Sequence, residues 1–437
     1  MNDQPGAGSD HAIVVGAGVI GSAIALELQR GGYQVTVVDQ GEAVGGGSTS
    51  ASSSIIRFTY STLDGVAASW EAMHMWASWA DHLGEIDGPL CRFHRVGMLH
   101  LPGPDDDLGP MCDHFDQVGV GYEMLGAEEI TARFPAVDVG RFHPPRSLDD
   151  EQFFDPPQGV VSGLFMPDAG FVDDPQLAAA NLMAAAQRHG AALRLRSEVV
   201  AVLRKGQQVT GVRLVGGEEL PARVVVNAAG PWSNRLNGLA GVADDMAISG
   251  RPLRQTVTAA PAPPTFGVGS GGTVVADVDL GAYFRPQPGG ALVMGGVEAP
   301  CDPLEWVDDP AEFGFLPDPE VGEVVTLRVA RRIPDLGVPL APTGLGHYYD
   351  VTPDWTPVYD RTVLDGFFVA VGTSGNQFKN APLVGVMMKE LIDACRAGHD
   401  HDREPVVVIG PNTGLPIGLG QFSRHRDLAS TSGTVMG

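Results

Sequence analysis

The sequence predicts a two-domain protein in which an α/β domain with a parallel sheet is combined with a β-rich domain built on a mixed sheet. Three observations predict it. A glycine-rich turn joins a β-branched run to a helical run near the start, 437 residues exceed what one ordinary core holds, and two long stretches interrupt the α/β pattern.

Taken in order, residues 1–10 are polar and expected to be disordered. From Ala12 the run AIVV reads as a strand, Gly16-Ala-Gly-Val-Ile-Gly21 as a turn, and Ser22–Arg30 as a helix stopped by Gly31-Gly32. A second strand, Gln34–Asp39, completes a βαβ unit of about thirty residues. From Glu85 to Pro157 the character changes, with Pro, Gly and Asp gathered at Leu101–Leu108 and Pro144–Pro157. The pattern resumes with a helix at Pro175–Gly190, whose proline suits a first helical position, and strands at Leu193–Arg204, Val209–Val215 and Arg223–Asn227. A second excursion, Asn234 to His347, carries strand-like runs at Thr273–Ala276, Gly281–Arg285 and Ala291–Gly295. A strand at Gly366–Val371, a Gly-rich turn and a helix at Ala381–Arg396 follow, and the Gly/Ser-rich tail after Pro411 is expected to be mobile. Residues 1–84, 158–233 and 348–437 are thereby assigned to a Rossmann-type domain, and 85–157 and 234–347 to a second, mixed-sheet domain sharing a cleft with it. No internal repeat is visible.

A hydrophobic content of 43% is ample for burial, and a formal charge of −25 argues against nucleic-acid or anionic-membrane partners, which need Lys and Arg to displace counterions. The apolar run Ala12–Leu26 has no basic residue before it, is broken by Gly16, Gly18 and Gly21, and is too short for a bilayer, so a cytoplasmic protein is expected. Cys91, Cys112, Cys301 and Cys395 form no CxxC pair and read as ordinary buried thiols. His94 and His100 lack carboxylates or cysteines at ligand spacing, so no metal is expected. Arg331-Arg332 and Asp105–Asp107 read as solvated charge. Only three lysines occur, Lys205, Lys379 and Lys389, which makes each informative.

The turn Gly16–Gly21 lies between strand and helix, the context that gives it meaning. Gly16 permits the tight turn, Gly18 lets backbone approach a pyrophosphate, and Gly21 lets helix pack on strand, while Val19 and Ile20 open a helix whose N-terminus attracts phosphate. Asp39, followed by Gln40, ends the next strand, where it can accept hydrogen bonds from a ribose. These features call for a dinucleotide without separating FAD from NAD. Ser48, Thr49 and Ser50, after Gly45–Gly47, offer amides and hydroxyls to a second phosphate, the alternative being a flexible linker.

Four stretches, in this order, resemble the D-amino-acid oxidase-like flavoproteins, specifically their sarcosine oxidase and sarcosine/dimethylglycine dehydrogenase branch. They are GAGVIG with Asp39, Ser48–Arg57, Val224–Ser233 (VVVNAAGPWS), and Tyr349–Asp354 with Gly372–Lys379 (GTSGNQFK). The resemblance implies non-covalent FAD in a domain assembled from three segments, with a sheet-rich substrate domain over the flavin. It implies that Val199 meets the adenine through its backbone and that Gly230 and Trp232 lie near the dinucleotide. Gly372, Gly375, Asn376, Gln377, Phe378 and Lys379 would then border the pyrimidine end of the flavin, where a helix N-terminus stabilises the negative charge of reduction. Arg57 and Lys379 match positions that hold a substrate carboxylate, and two cations suit the task of orienting a zwitterionic amine. Tyr60, Tyr283 and Tyr349 match or approach aromatic pocket positions, with core packing as the alternative, evenly so for Tyr283.

Two departures matter. Where covalently flavinylated members carry a cysteine this chain has His347, which rules out a thioether there and reads as a polar residue at a domain junction, a histidyl link to flavin being the alternative. The lysine that activates oxygen in that branch falls at Val293 or Met294, so oxygen and another electron acceptor both stay open. The implied activity is oxidation of the C–N bond of a small carboxylated amine, secondary or tertiary, such as an N-methyl amino acid. Hydride would pass to flavin N5, and the imine would hydrolyse to amine plus aldehyde without a general base. The alternatives are oxidation of a primary or cyclic amino acid or a 2-hydroxy acid, and a non-catalytic FAD-binding subunit of a larger complex.

Overall fold

The β-branched run at Ala12–Val15 packs well on both faces of a pleated surface, and it becomes an inner strand of a parallel sheet. The computed structural model describes residues 10–311, 314–340 and 343–437, so of the polar lead only Asp10 is included. In chain order the elements that position the site are β1 (His11–Val15), α1 (Val19–Arg30), β2 (Gln34–Val38), α2 (Leu63–Ala77), β3 (Met98–Leu101), β4 (Glu123–Leu125), β5 (Gly163–Met166), α3 (Pro175–Arg188), β6 (Ala192–Arg194), β7 (Val224–Asn227), β8 (Arg251–Pro261), β9 (Val274–Asp277), β10 (Ala282–Gln287), β11 (Ala291–Gly296), α4 (Pro319–Arg332), β12 (Thr343–Val351), β13 (Val358–Arg361), β14 (Phe367–Val371) and α5 (Ala381–Arg396).

The first sheet has the order β13-β14-β7-β1-β2-β6 and is parallel except for β13. Val14 pairs with Val226 on one side and Val37 on the other. Helix α1 packs against α3 and α5 and buries Ala23, Ile24, Leu26 and Leu28 in the largest apolar core. Asp174 caps α3 by accepting the Leu177 N–H at 2.8 Å, with Pro175 at the first helical position.

The second sheet has the order β12-β8-β11-β10-β9-β3-β5-β4 and is antiparallel except where β9 meets β3. Alternation divides its faces. Leu99, Val275, Phe284, Leu292 and Met294 join Val325 and Val329 of α4 in a core on one side, while Met98, Ala276, Tyr283, Gln255 and Val257 line a cavity on the other. The same pleat separates the two candidate positions on β11: Met294 is sealed in the helix-side core, and Val293 pairs with Arg285 across the strand. Strand β5 and the whole of β12 belong to this sheet, so it draws chain from segments 158–233 and 348–437 as well.

Several local expectations are corrected. The strand expected over Leu193–Arg204 is two, Ala192–Arg194 and Val199–Lys205, because Arg196 turns the chain at φ +53 between them. Helix α2 and strand β8 were not foreseen. Strand β8 holds Thr256, Thr258 and Ala260 at buried positions, residues whose weak polarity contrast hides the alternation. Arg332 is not solvated: it is fully buried, paired to Asp277 at 2.6 Å and Asp279 at 3.0 Å. Arg331 is half-buried over the Phe142 ring. Of the four cysteines only Cys91 is fully buried. The tail after Pro411 is packed: Arg424 pairs with Asp245, Asp360 and Asp402, and Arg426 makes a two-pronged pair with Asp354 at 2.8 and 3.0 Å. Among the described residues, no helix is long and apolar enough to cross a membrane.

Candidate active site

Between β1 and α1 the chain turns at Gly16 with φ +115, and a Cβ there would stand 2.2 Å from the Ala228 carbonyl oxygen at the end of β7. Only glycine fits. A Cβ on Gly21 would lie 1.9 Å from the Gly16 oxygen, so helix and turn touch through bare backbone. Helix α1 has no acidic residue in its first turn, which keeps its N-terminal field favourable to an anion. The Thr49 hydroxyl accepts the Val19 N–H at 3.1 Å, placing the Ser48–Ser50 loop over that helix end. Asp39 accepts the Ala17 and Gly41 amides, both at 2.6 Å, and so locks the turn while lone pairs remain for a further donor.

From this turn a cavity of about 680 Å³ extends to the face of the second sheet. Gly16, Gly18, Val19, Ile20, Asp39, Gln40, Ser48, Thr49, Arg57, Val199, Gly230, Trp232, Tyr283, Tyr349, Gly375, Asn376, Gln377, Phe378 and Lys379 line it. Gly21, Ser50, Tyr60 and Gly372 stand behind its wall. Ser50 turns its hydroxyl to the Gly47 carbonyl at 2.9 Å, and Gly372 donates its N–H to Asp350 at 2.7 Å. The Asp350 carboxylate also takes the Thr373 N–H at 3.0 Å, which pins the Gly-rich loop ahead of α5. A Cβ on Gly375 would meet the Tyr349 ring at 2.4 Å, so this loop and that ring shape each other.

The end of the cavity away from the turn is built from buried polar groups. Arg57 donates to the Thr59 carbonyl at 2.7 Å, to the Thr59 hydroxyl at 2.6 Å, to the Met436 carbonyl at 2.7 Å and to the Val435 carbonyl. Lys379 donates to the Tyr60 hydroxyl at 3.0 Å and to the Asn376 carbonyl. Burial, and then the charge of Arg57, push the Lys379 ammonium well below its ordinary value. Both cations are therefore satisfied by protein groups, and Tyr60 is the hub that holds Lys379 rather than a wall of the pocket. The Tyr283 hydroxyl meets Ser53 at 2.6 Å and is hydrogen-bonded to Tyr349, and burial raises both phenols.

His347 lies at the junction of the two sheets. Its Nδ1 accepts the Tyr348 N–H at 2.8 Å and lies 2.8 Å from the Ser48 hydroxyl, and burial lowers it to about 4. It is neutral at neutral pH.

Three features were not legible in the sequence. Gln255 and Val257 reach the cavity from the unforeseen strand β8. Glu298 follows β11 at φ +52, with one carboxylate oxygen accepting Gln255 at 3.0 Å and the other the Val435 N–H at 2.8 Å. It keeps some accessible surface, yet it is enclosed deeply enough that burial pushes its carboxyl up to about 8. Val435 and Met436 themselves close the cavity wall. A lone glutamate and an apolar pair in a Ser/Thr-rich tail carry no motif.

The cradle accepts a dinucleotide on its own geometry: glycines where a Cβ would collide, a helix N-terminus free of acid, and a carboxylate beside the turn. The family model described as FAD dependent oxidoreductase matches residues 11–391. Among curated proteins, the chain is 24% identical over 408 residues to a 4-methylaminobutanoate oxidase (formaldehyde-forming) of Paenarthrobacter nicotinovorans, with 89% of this chain and 44% of that protein covered. This chain thus spans less than half of that relative. It is also 24% identical to a sarcosine oxidase subunit beta of an Arthrobacter species, with 90% of this chain and 88% of that one covered. Among solved structures, an L-proline dehydrogenase from P. horikoshii superposes with a TM-score of 0.72 at 23% identity, covering 90% of this chain and 95% of the other, which shows the shared two-domain fold. With the fingerprint, the cavity and a family match over most of its length in agreement, the chain belongs to the FAD-dependent oxidoreductase family and is an FAD enzyme.

Proposed function

We propose that this enzyme oxidises the C–N bond of a small carboxylated amine, secondary or tertiary, of the N-methyl amino acid type. The observation that carries the reading is Arg57, a guanidinium held almost without solvent contact in the cavity lining near Tyr349 and Glu298, where its donors rest on Thr59 and on the main-chain carbonyls of Val435 and Met436. A buried guanidinium facing a cavity suits a carboxylate, and fixing the carboxylate fixes the neighbouring C–H. The relatives whose names mention methylaminobutanoate and sarcosine support it, since both names denote carboxylated N-methyl amines.

Bound FAD supplies the hydride acceptor, N5 of its ring system. The protein residues do the rest. Arg57 orients the carboxylate, and Tyr283 and Tyr349 wall the pocket with phenols that stay protonated because burial raises them. Lys379, Tyr60 and Asn376 hold the Gly-rich loop against the cavity. With FAD held by the Gly16–Gly21 turn and the Ser48–Ser50 loop, loss of hydride from the carbon beside nitrogen would leave an iminium ion, which water would split into an amine and an aldehyde with release of a proton.

None of the four cysteines lines the cavity, and the His347 Nδ1 is engaged by its neighbours, which supports dissociable FAD. Acid precipitation should leave all the flavin in the supernatant, whereas flavin in the pellet would establish a covalent link.

An anaerobic titration with N-methyl, cyclic and primary amino acids, followed by flavin absorbance and then by admission of air, tests the reading. Bleaching by N-methyl amines is expected, and the reoxidation rate in air tells an oxidase from a dehydrogenase. Arg57→Ala should raise the amine concentration needed by about 30-fold or more while flavin stays bound, the cost of losing a buried charge partner. Unchanged titration in that variant would sink the carboxylate clamp. The superposed L-proline dehydrogenase supports a second reading, a cyclic amino acid, for which bleaching would occur without aldehyde release.

A further inference from the structure

In the cavity wall one short stretch of main chain offers its carbonyls to a base that lines the cavity and its N–H to an acid that stands behind that wall. Val435 donates its N–H to Glu298 at 2.8 Å, while the Val435 and Met436 carbonyls accept from Arg57, the latter at 2.7 Å. An amino acid presents the same order, nitrogen at one end and carboxylate oxygens at the other. Among the described residues neither Glu298 nor Arg57 forms a salt bridge with a side chain, although each feels the other's charge. Glu298 is moreover held at φ +52, a left-handed conformation that is unfavourable for a residue with a side chain and persists where surrounding structure demands it.

We propose that Glu298 receives the substrate nitrogen opposite Arg57, and that the Val435–Met436 main chain is a built-in stand-in which the substrate displaces. The proposal rests on the amine-oxidation reading above and names the residue that reads the nitrogen. Displacement is favourable because the two carbonyls give way to a carboxylate on Arg57, whose charge-assisted hydrogen bonds are about twice as strong, and because the proton that Glu298 holds while only the Val435 amide faces it is released once an ammonium takes that place. The segment can yield without leaving the protein: Ala429 and Thr431 stay bound to Asp354, at 3.2 and 2.9 Å, while the residues after them swing. Gln255, at 3.0 Å, keeps the Glu298 carboxylate aimed when Val435 departs.

The test compares sarcosine with methoxyacetate, which replaces the sarcosine nitrogen by an ether oxygen and keeps the carboxylate. Dissociation constants are read from the flavin spectrum of the anaerobic holoenzyme and of Glu298→Gln, and hydrogen exchange is followed over residues 427–437. In the variant, sarcosine is expected to lose about tenfold or more in affinity, the weight of a hydrogen bond to a charged group, while methoxyacetate changes little. Both probes should speed exchange at Val435. Equal losses for the two probes, or a segment that stays protected with ligand bound, would overturn the proposal and leave the amine-oxidation reading standing. Holoenzyme whose flavin responds to neither probe nor to any amine of the panel would remove that reading, and the proposal with it.

Discussion

Glu298 keeps its proton up to about pH 8 in the folded protein, because burial, reinforced by the negative charge of Asp302, outweighs the help of Val435, Gln255 and Arg57. The unfolded carboxyl releases its proton near 4.5. Between those values the native state binds more protons than the unfolded state, so stability conferred by this group falls as pH rises through the window. Glu298→Gln carries no such proton. Its stability relative to the parent should therefore climb from pH 5 to pH 8, by up to about 1.4 kcal/mol per pH unit, in urea unfolding of the holoenzyme. A flat difference across that range would mean that Glu298 is ionised in the native state. Asp354 shows the opposite balance: burial raises its carboxyl, but the two-pronged Arg426 pair overcomes this and holds it below the ordinary range. One partner guanidinium separates the two acids.

The unit β1–turn–α1 binds through backbone, and its tolerance is set by the distance from Gly16 to the end of β7. Gly16→Ala would place a methyl group 2.2 Å from the Ala228 oxygen in a left-handed conformation. The turn must move, at a cost of about 1–3 kcal/mol, and the α1 amides move with it. The variant should purify without the flavin's yellow absorbance yet keep its far-ultraviolet circular dichroism. Full flavin content would show that the turn is not part of the cradle. The loop before α5 follows the same logic with a side-chain brace, since Asp350 gathers the Gly372 and Thr373 amides and Gly375 leaves room for the Tyr349 ring.

Across the whole molecule, buried arginine–aspartate pairs tie distant segments together. Arg332 of α4 binds Asp277, Asp279 and the carbonyls of Asp138 and Gly140, and so fixes the second sheet to the chain that enters it. Arg332→Ala should cost about 3–5 kcal/mol in urea unfolding, because two carboxylates lose their partner, and Asp277→Asn made with it should recover part of the loss. A loss under 1 kcal/mol in the single variant would mean that water already reaches the cluster. Arg424 and Arg426 do the same for the tail, holding it against the domain that carries the fingerprint and delivering Val435 to the cavity.

What was legible from the sequence follows from range. Gly16, Gly18, Gly21 and Asp39 lie in one βαβ unit, where φ preference, β-branching and helical spacing act between near neighbours, so the dinucleotide end could be read directly. Arg57 and Lys379 were visible through the motifs around them, but not that Lys379 would spend its donors on Tyr60 and Asn376. The sequence by itself determined the α/β plus β-rich architecture and the dinucleotide cradle. Only the tertiary structure decided the substrate end, where Arg57, Glu298 and Val435 come together from segments hundreds of residues apart. Their meeting depends on the register of the eight-stranded sheet and on ion pairs that anchor the tail. No local preference encodes either, because both arise from packing between segments far apart in the chain.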